Sequence, residues 1–316
     1  MALSVSEANA VSSKYYQKNA LFQQVYDDDP FTAILKGKNK IKIDGGTDVN
    51  WTVRVSKLEQ SNFVDPRAQI PIAGKETRTG ATLDWGYAVG STAIHWDERV
   101  KNDGNEAVIN LMADKHTELK EDFADNFSNT LWGTDSTYIA TIPNIVDSEL
   151  AYGGIAVADA TEWASTEDAA TTVLTLFGDG SLTYMRNQAS FGKHAPTHHL
   201  TTRNLQSKYE SLLQPQQRYE GSADQKTLNM GFANVLFFGR PVIASDFISV
   251  GDWFGLDMDA FELAVKSGED ADATEWFSLK AQGFPKAMGK FMTSVCNMKC
   301  DRRKTSFKFT ALDYTL

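Results

Sequence analysis

The chain has almost no cysteine: of 316 residues, Cys296 and Cys300 are the full complement. A disulfide framework is therefore excluded as the basis of the fold. Four positions apart in a strand they would lie roughly 13 Å from one another, too far to bond. Both are expected as free thiols of a reducing compartment, and two ligands are too few for zinc. Long hydrophobic runs are also missing, and nothing approaches the ~20 apolar residues of a membrane span. The opening MALSVSEANAVSSKYYQKNALFQQ is polar and does not read as a secretion signal. The expectation is a soluble, cytoplasmic product with no membrane partner. Positive charge is scarce too: 31 Lys and Arg against 41 Asp and Glu leave a net charge of −10. No basic groove interleaved with aromatics is present, which argues against sequence-specific nucleic-acid binding. An acidic wall is still suited to enclosing nucleic acid without sticking to it.

Recognised catalytic motifs are absent as well. Phe177-Gly178-Asp179-Gly180-Ser181 is a turn leading into a helix, not GxGxxG or GxxxxGKS/T. There is no GxSxG elbow and no Cys–His signature. Asp257 and Asp259 fall in a turn-like DMDAF and read as ordinary carboxylates. Asn50-Trp51-Thr52 matches a glycosylation sequon that has no meaning without secretion. The expectation is a chain without enzymatic activity and without a cofactor.

What is present is a core-forming composition, 42% hydrophobic, enough for one large or two modest domains. Residues 47–57 alternate strictly. Val49, Trp51, Val53 and Val55 fall on one face, and Asp48, Asn50, Thr52, Arg54 and Ser56 on the other. A second run, Leu83–Trp96, alternates through Leu83, Trp85, Tyr87 and Val89 and then slips phase toward Ile94 and Trp96, which suggests a bulge or strong twist. Together they read as the arms of a long hairpin around the polar loop 58–81, which contains Pro66, Pro71, Gly74 and Gly80. So long a loop in a compact domain is commonly functional. A hairpin of this reach cannot bury its own faces, so it must lie on something else, most simply another copy of the chain.

A helix follows over about Asn105–Trp132. Ile109, Met112, His116, Leu119, Phe123 and Phe127 recur at three- and four-residue steps, and charged residues fill the remaining arc. It would be roughly 40 Å long. Asn102 or Asp103 is placed to cap its start and Gly133 to end it. His116 reads as a core or interface histidine, with a pH-sensitive packing role as the sharper alternative.

Earlier, residues 1–30 form a polar arm with short helical patches around Tyr15–Tyr26 and the acidic run Asp27-Asp28-Asp29, followed by a short strand at Lys40–Ile43. Later, Ser181 is a candidate cap for a helix with Leu182, Met185 and Ala189 buried, ending at Gly192. Thr197–Thr202 reads as a strand. Thr202 is placed to cap a helix over Arg203–Gln214, which Pro215 ends. Strands are expected at Phe232–Phe238, Pro241–Phe247, Trp253–Leu256, Glu262–Val265 and Trp276–Lys280. A final hairpin is expected to join Lys290–Met298 to Thr305–Ala311. The class is α+β.

Two clusters invite chemistry. His194, His198 and His199 have the residue types of a metal site, the basis of an alternative reading as a soluble metal-dependent enzyme, but Pro196 forbids the helix that would align the first two. Lys299, Arg302, Arg303, Lys304 and Lys308 bracket the final turn. They read as solvated or as paired with an acidic patch of a neighbour, such as Glu269, Asp270 and Asp272.

The order of parts, with the stretches YGGIAVADATEW at 152–163, THHLTTRNLQSKYESLLQPQQRY at 197–219 and LFFGRPVIAS at 236–245, resembles the major capsid protein of tailed bacteriophages, the HK97-like fold. The resemblance covers most of residues 30–312. It implies an N-terminal arm (1–35), an E-loop hairpin with flanking strands (36–103), a spine helix with part of the P-domain (104–172), an A-domain (173–270) and late strands completing the two lobes (271–316). It implies hexamers and pentamers closing an icosahedral shell around double-stranded DNA, assembly in the bacterial cytoplasm and residence in the virion capsid. Possible scaffold, portal and cement proteins are implied as partners. An encapsulin-like compartment shares the fold and is the alternative. Some members cross-link an E-loop lysine to a neighbour's asparagine; Lys75 is the matching lysine here, with no identifiable asparagine or assisting carboxylate.

The expected inter-subunit residues are Val49, Trp51, Val53, Val55, Lys75, Trp85 and Tyr87 of the E-loop, with Arg302 and Arg303 facing Glu269 and Asp270. If the apolar set buries ~400–600 Å² between subunits, each loop contributes on the order of 10–15 kcal/mol before ordering costs. Charge reversal at Arg302 and Arg303 is expected to impair assembly and leave the subunit folded, as size-exclusion and melting measurements would report.

Overall fold

The computed structural model describes residues 29–56, 58, 63–65, 67, 74–101, 105–213, 235–284 and 286–315. The arm over 1–28, most of the loop over 57–73, the caps Asn102 and Asp103, the side chain of Ile109 and Pro215 lie outside the described residues. Helix α1 (Pro30–Gly37) opens the described chain, with Pro30 in its first turn and Asp29 as its N-cap. Strand β1 (Ile41–Asp44) leads to the hairpin of β2 (Val49–Arg54) and β3 (Arg78–Leu83). Strand β4 (Gly86–Ile94) and the short α2 (Trp96–Lys101) precede the spine helix α3 (Asn105–Trp132).

The expected second hairpin arm, Leu83–Trp96, corresponds to β4 and is not the partner of β2. β2 pairs with β3, which falls mostly within the stretch expected as loop, while β4 runs antiparallel to β13 (Met288–Cys300). The phase slip between Val89 and Ile94 falls within β4 and is not the expected bulge: the register with β13 is unbroken, and Ile94 is buried on the face opposite to Tyr87 and Val89. Trp85 turns inward and donates its indole N–H to the Gly46 carbonyl at 3.3 Å. Gly86 follows because a Cβ there would meet the carbonyl oxygens of Tyr138 and Cys296 at 2.5 and 2.9 Å.

Two six-stranded sheets organise the described residues. In the first, β13 is the central member. It pairs with β4 on one side and, along the other, with β10 (Phe261–Lys266), β11 (Asp272–Ala273) and β12 (Phe277–Ser278), while β1 runs parallel to β10. The second sheet has the order β5-β14-β9-β6-β8-β7. Its members are β5 (Thr166–Asp168), β6 (His198–Thr201), β7 (Val235–Phe237), β8 (Arg240–Ala244), β9 (Trp253–Leu256) and β14 (Phe307–Phe309). The chain passes between sheets after Leu256 and again after Cys300. Thus β13 and β14 lie in separate sheets and are not the expected hairpin. The intervening Asp301–Ser306 is a seam between the two lobes rather than a tight turn.

The spine helix packs on β4 and β13. Met112, His116, Leu119, Phe123 and Phe127 are all buried, as the periodicity required. Gly90 of β4 lets it approach, since a Cβ would touch Leu119 and Phe123 at 3.1 and 3.2 Å. In the second lobe α5 (Leu182–Ala189) is capped by Ser181, whose hydroxyl accepts from the Tyr184 N–H at 3.2 Å, and it ends at Ser190, before Gly192. α6 (Arg203–Leu213) buries Leu205 and Tyr209. The Thr202 hydroxyl meets no partner, so the expected side-chain cap is not formed. No described helix is long and apolar enough to cross a membrane.

Two buried charges tie the lobes together. Arg303 is fully buried. Its guanidinium donates to the carbonyls of Ile145, Leu150 and Asp147 at 2.6, 3.0 and 3.0 Å and lies over Tyr152 and Trp163. It thereby satisfies the orphan carbonyls at the end of the one-turn helix α4 (Ile142–Ile145). The Asp29 carboxylate is fully buried and accepts from Trp132 Nε1 at 3.1 Å, the Thr32 N–H at 3.3 Å and the Ser245 hydroxyl at 3.2 Å. The start of α1, the end of the spine helix and the residue after β8 converge there.

Arg303 is thus a folding residue, and the expectation that its reversal spares the fold is corrected. Arg303→Ala strands several carbonyls and is expected to cost about 3–5 kcal/mol. Arg302→Ala is expected to cost no more than about 1 kcal/mol, because the Thr305 hydroxyl and the Asp259 N–H still hold Asp257. Urea midpoints distinguish them. Burial raises the Asp29 pKa from 3.8 to about 6. The raised value means that its contribution is full below about 4 and is lost as pH rises through about 6. Asp29→Asn should remove that component from the pH dependence of Tm, and a wild-type slope in the variant would refute the assignment.

Candidate assembly surface

The first sheet has two unlike faces. Alternation along β4 and β13 sends Ala88, Gly90, Met292 and Ser294 toward the spine helix, and Tyr87, Val89, Phe291 and Thr293 away from it. The spine side is closed, and carries His116, Lys120 and Lys290 among its apolar residues. The His116 pKa is pushed down to about 4, first by burial and then by Lys290 and Lys120. Lys290 lies 5.8 Å from the ring centre of Trp276.

The other face is open. Tyr87 is 69%, Val89 62% and Phe291 40% exposed. Phe277 packs on Phe291 with ring centres 5.0 Å apart. By register Tyr87 lies opposite Val295, Val89 opposite Thr293 and Ser91 opposite Phe291. One strand further, Asp272 lies opposite Thr293, and the Val295 N–H donates to the Glu269 carbonyl at 3.0 Å. An apolar strip therefore runs beside an acidic one containing Glu269, Asp270, Asp272 and Glu275. The Glu269 carboxylate accepts from the Thr293 hydroxyl at 3.4 Å. Burial raises the Asp270 pKa to about 6. At the free edge of β4 a groove of about 430 Å³ runs along the spine helix, lined by Phe123, Phe127, Tyr138 and Ile139 among others.

The residues expected at subunit contacts divide sharply. Val49, Trp51, Val53 and Trp85 are buried within their own subunit, and Val55 is partly so. The hairpin's apolar face lies on this chain's own core, with Trp51 beside Tyr152 at 5.9 Å. The area counted for a neighbour is already covered, and Trp51→Asp is a lesion of the fold rather than of assembly. Tyr87 is open, and Lys75 is exposed at the hairpin's far end. Beyond β2, Leu58, Phe63 and Val64 are exposed, Phe63 fully.

The basic run is occupied internally. Lys299 lies 3.6 Å from Glu262, Arg302 3.4 Å from Asp257, Lys308 2.8 Å from Asp147 and 3.2 Å from Glu167, and Lys304 pairs with Glu162. Arg302 and Arg303 therefore do not present a free surface to Glu269 and Asp270 of a neighbour. The sequence reading missed the exposed Arg78 and Phe291. Arg78, Gly80 and Thr82 do alternate with Thr79, Ala81 and Leu83, a period-two signal masked by the glycine.

The histidines do not converge. His198 and His199 are consecutive in β6 and point to opposite faces, while His194 closes a turn against Phe191. His199 is enclosed by Phe237, Trp253 and Phe307, and burial pushes its pKa down to about 3. No group of His, Cys, Asp or Glu suited to a metal ion occurs among the described residues. Cys296 and Cys300 are free and buried in β13, and burial pushes both thiols up to about 12.

No protein-family model matches the chain, and no curated protein does. Solved structures do. The capsid asymmetric unit of cyanophage A-1(L) aligns at a TM-score of 0.60 with 14% identity, over 87% of this chain and 90% of that one. The capsid of a native GTA particle aligns at 0.60 with 9% identity, over 89% and 90%. A structure from Mycobacterium phage Bobi aligns at 0.54 with 9% identity, over 86% and 88%. The chain has the α+β, HK97-like fold of capsid subunits, with a hairpin followed by a long helix and two six-stranded sheets.

Proposed function

We propose that this chain is the major capsid protein of a tailed bacteriophage, a structural subunit that self-assembles into hexamers and pentamers and closes an icosahedral shell around double-stranded DNA. The observation that carries this reading is the fold shared over nearly nine-tenths of the chain with the capsids of a cyanophage and of a GTA particle. The open strip of Tyr87, Val89 and Phe291 supports it, because a contiguous apolar face on a well-packed subunit marks a contact surface. So does the hairpin, whose far end carries exposed Leu58, Phe63 and Val64. In this reading the far end of each hairpin lies on the open strip of the next copy, a head-to-tail contact that closes rings. The net charge of −10 suits a wall that holds DNA without binding its sequence. Scaffold, portal and cement proteins are the partners such a shell implies, and Lys75 is the residue placed for any cross-link.

Electron microscopy and light scattering of the purified full chain test the reading. Closed shells or rings of five and six support it, and nuclease-protected DNA within shells from infected cells supports the DNA-container role. Shells filled with protein instead would mark a compartment. Tyr87→Asp with Val89→Asp should raise the protein concentration needed for assembly by at least about tenfold, since a few kcal/mol of burial is lost per contact. Its Tm should remain within about 2 °C of wild type, because exposed positions contribute little to the fold. Assembly at the wild-type threshold would exclude the strip as a contact.

A further inference from the structure

The hairpin carries an unbalanced pair of charges. Register sets Arg54 of β2 directly opposite Arg78 of β3, and both side chains lie on the exposed face. Opposed residues of an antiparallel pair hold their Cβ atoms about 4.5–5.5 Å apart, and like charges there repel. Along the same face the next pairs are Thr52 with Gly80 and Asn50 with Thr82, all uncharged. Arg54 donates its Nε–H to the Ser56 carbonyl at 3.2 Å, and neither guanidinium reaches a carboxylate among the described residues. Lys299, Arg302, Lys304 and Lys308 face carboxylates within the subunit and Arg303 is held by buried carbonyls, so this pair stands apart from that basic run. Each guanidinium offers a planar fork of donors that matches a carboxylate.

We infer that Arg54 and Arg78 clasp the acidic strip of a second copy of this chain, at Glu269 and Asp272. The inference rests on the shell reading above and specifies its contact. Charge complementarity selects these acids, and position supports them. They border the open apolar strip, whereas the acids of the spine helix belong to the opposite side of the sheet. In the proposed contact the hairpin's exposed Phe63 and Val64 take the open strip of Tyr87, Val89 and Phe291, and its arginines take the acids beside that strip. The like-charge repulsion within the free hairpin is relieved on docking, so the contact favours the assembled state.

The test uses the full chain after nuclease treatment, with the assembly threshold read by light scattering and folding by thermal melting. R54E/R78E should raise the threshold at least about tenfold with an unchanged Tm, and E269R/D272R should do the same, in keeping with close interfacial charge pairs. Combining all four substitutions in one chain should restore the threshold to within about threefold of wild type, because the reversed charges again meet opposite partners. Wild-type assembly by R54E/R78E overturns the inference and leaves the shell reading standing. Loss without rescue overturns it too, as does a wild-type threshold that depends on added DNA and loses that dependence in R54E/R78E, which would assign the arginines to phosphates. Absence of any assembly by the wild-type chain overturns the shell reading itself.

Discussion

The long strand β13 is the member on which the other parts depend. Thirteen residues from Met288 to Cys300 pair with β4 on one side and with β10, β11 and β12 along the other. A strand so placed must serve both faces of its sheet. The spine helix closes one face with Leu119 and Phe123 packed onto Gly90. The short strands β11 and β12 supply no second layer for the other, and that face keeps Tyr87, Val89 and Phe291 in the open. The sheet therefore has one side closed by its own chain and one side that keeps apolar area in solvent.

Charge is sorted by the same logic. Cations near the seam between lobes are consumed inside the chain. Arg303 holds carbonyls at the end of α4, and Lys308 lies between Asp147 and Glu167. Removing such groups from water is costly unless every donor is satisfied, which ties them to the folded subunit rather than to a partner. Arg54 and Arg78 are different because the hairpin ladder forces them together and leaves them in solvent, where their charge is available to another molecule.

Much of the fold was legible where a residue's neighbours in sequence are its neighbours in space. The spine helix occupies Asn105–Trp132 as its apolar spacing required, and Ser181 caps α5 through a bond three residues away. Strand β2 was legible from strict alternation, and so was the buried face of Val49, Trp51 and Val53. The pairing of those strands was not. Period two says that a segment has an inner and an outer face, and it is silent about which strand lies alongside. So β4 was joined to β2 when it belongs to β13, and β14 was joined to β13 when it belongs to β9 and β5. Tyr87 was singled out in sequence and is exposed, whereas Phe291 and Arg78 are exposed without having been singled out.

Composition, periodicity and caps determined the α+β class, the order of hairpin, spine helix and lobes, and the absence of a disulfide frame, because each follows from local geometry and from which side chains avoid water. Tertiary structure decided which apolar faces were covered within the chain and which were left in solvent. Trp51 and Tyr87 carry the same kind of signal in sequence, yet one lies against Tyr152 and the other faces solvent. Burial is a property of the whole packed chain, fixed by which surfaces meet across long separations, and no local pattern contains it.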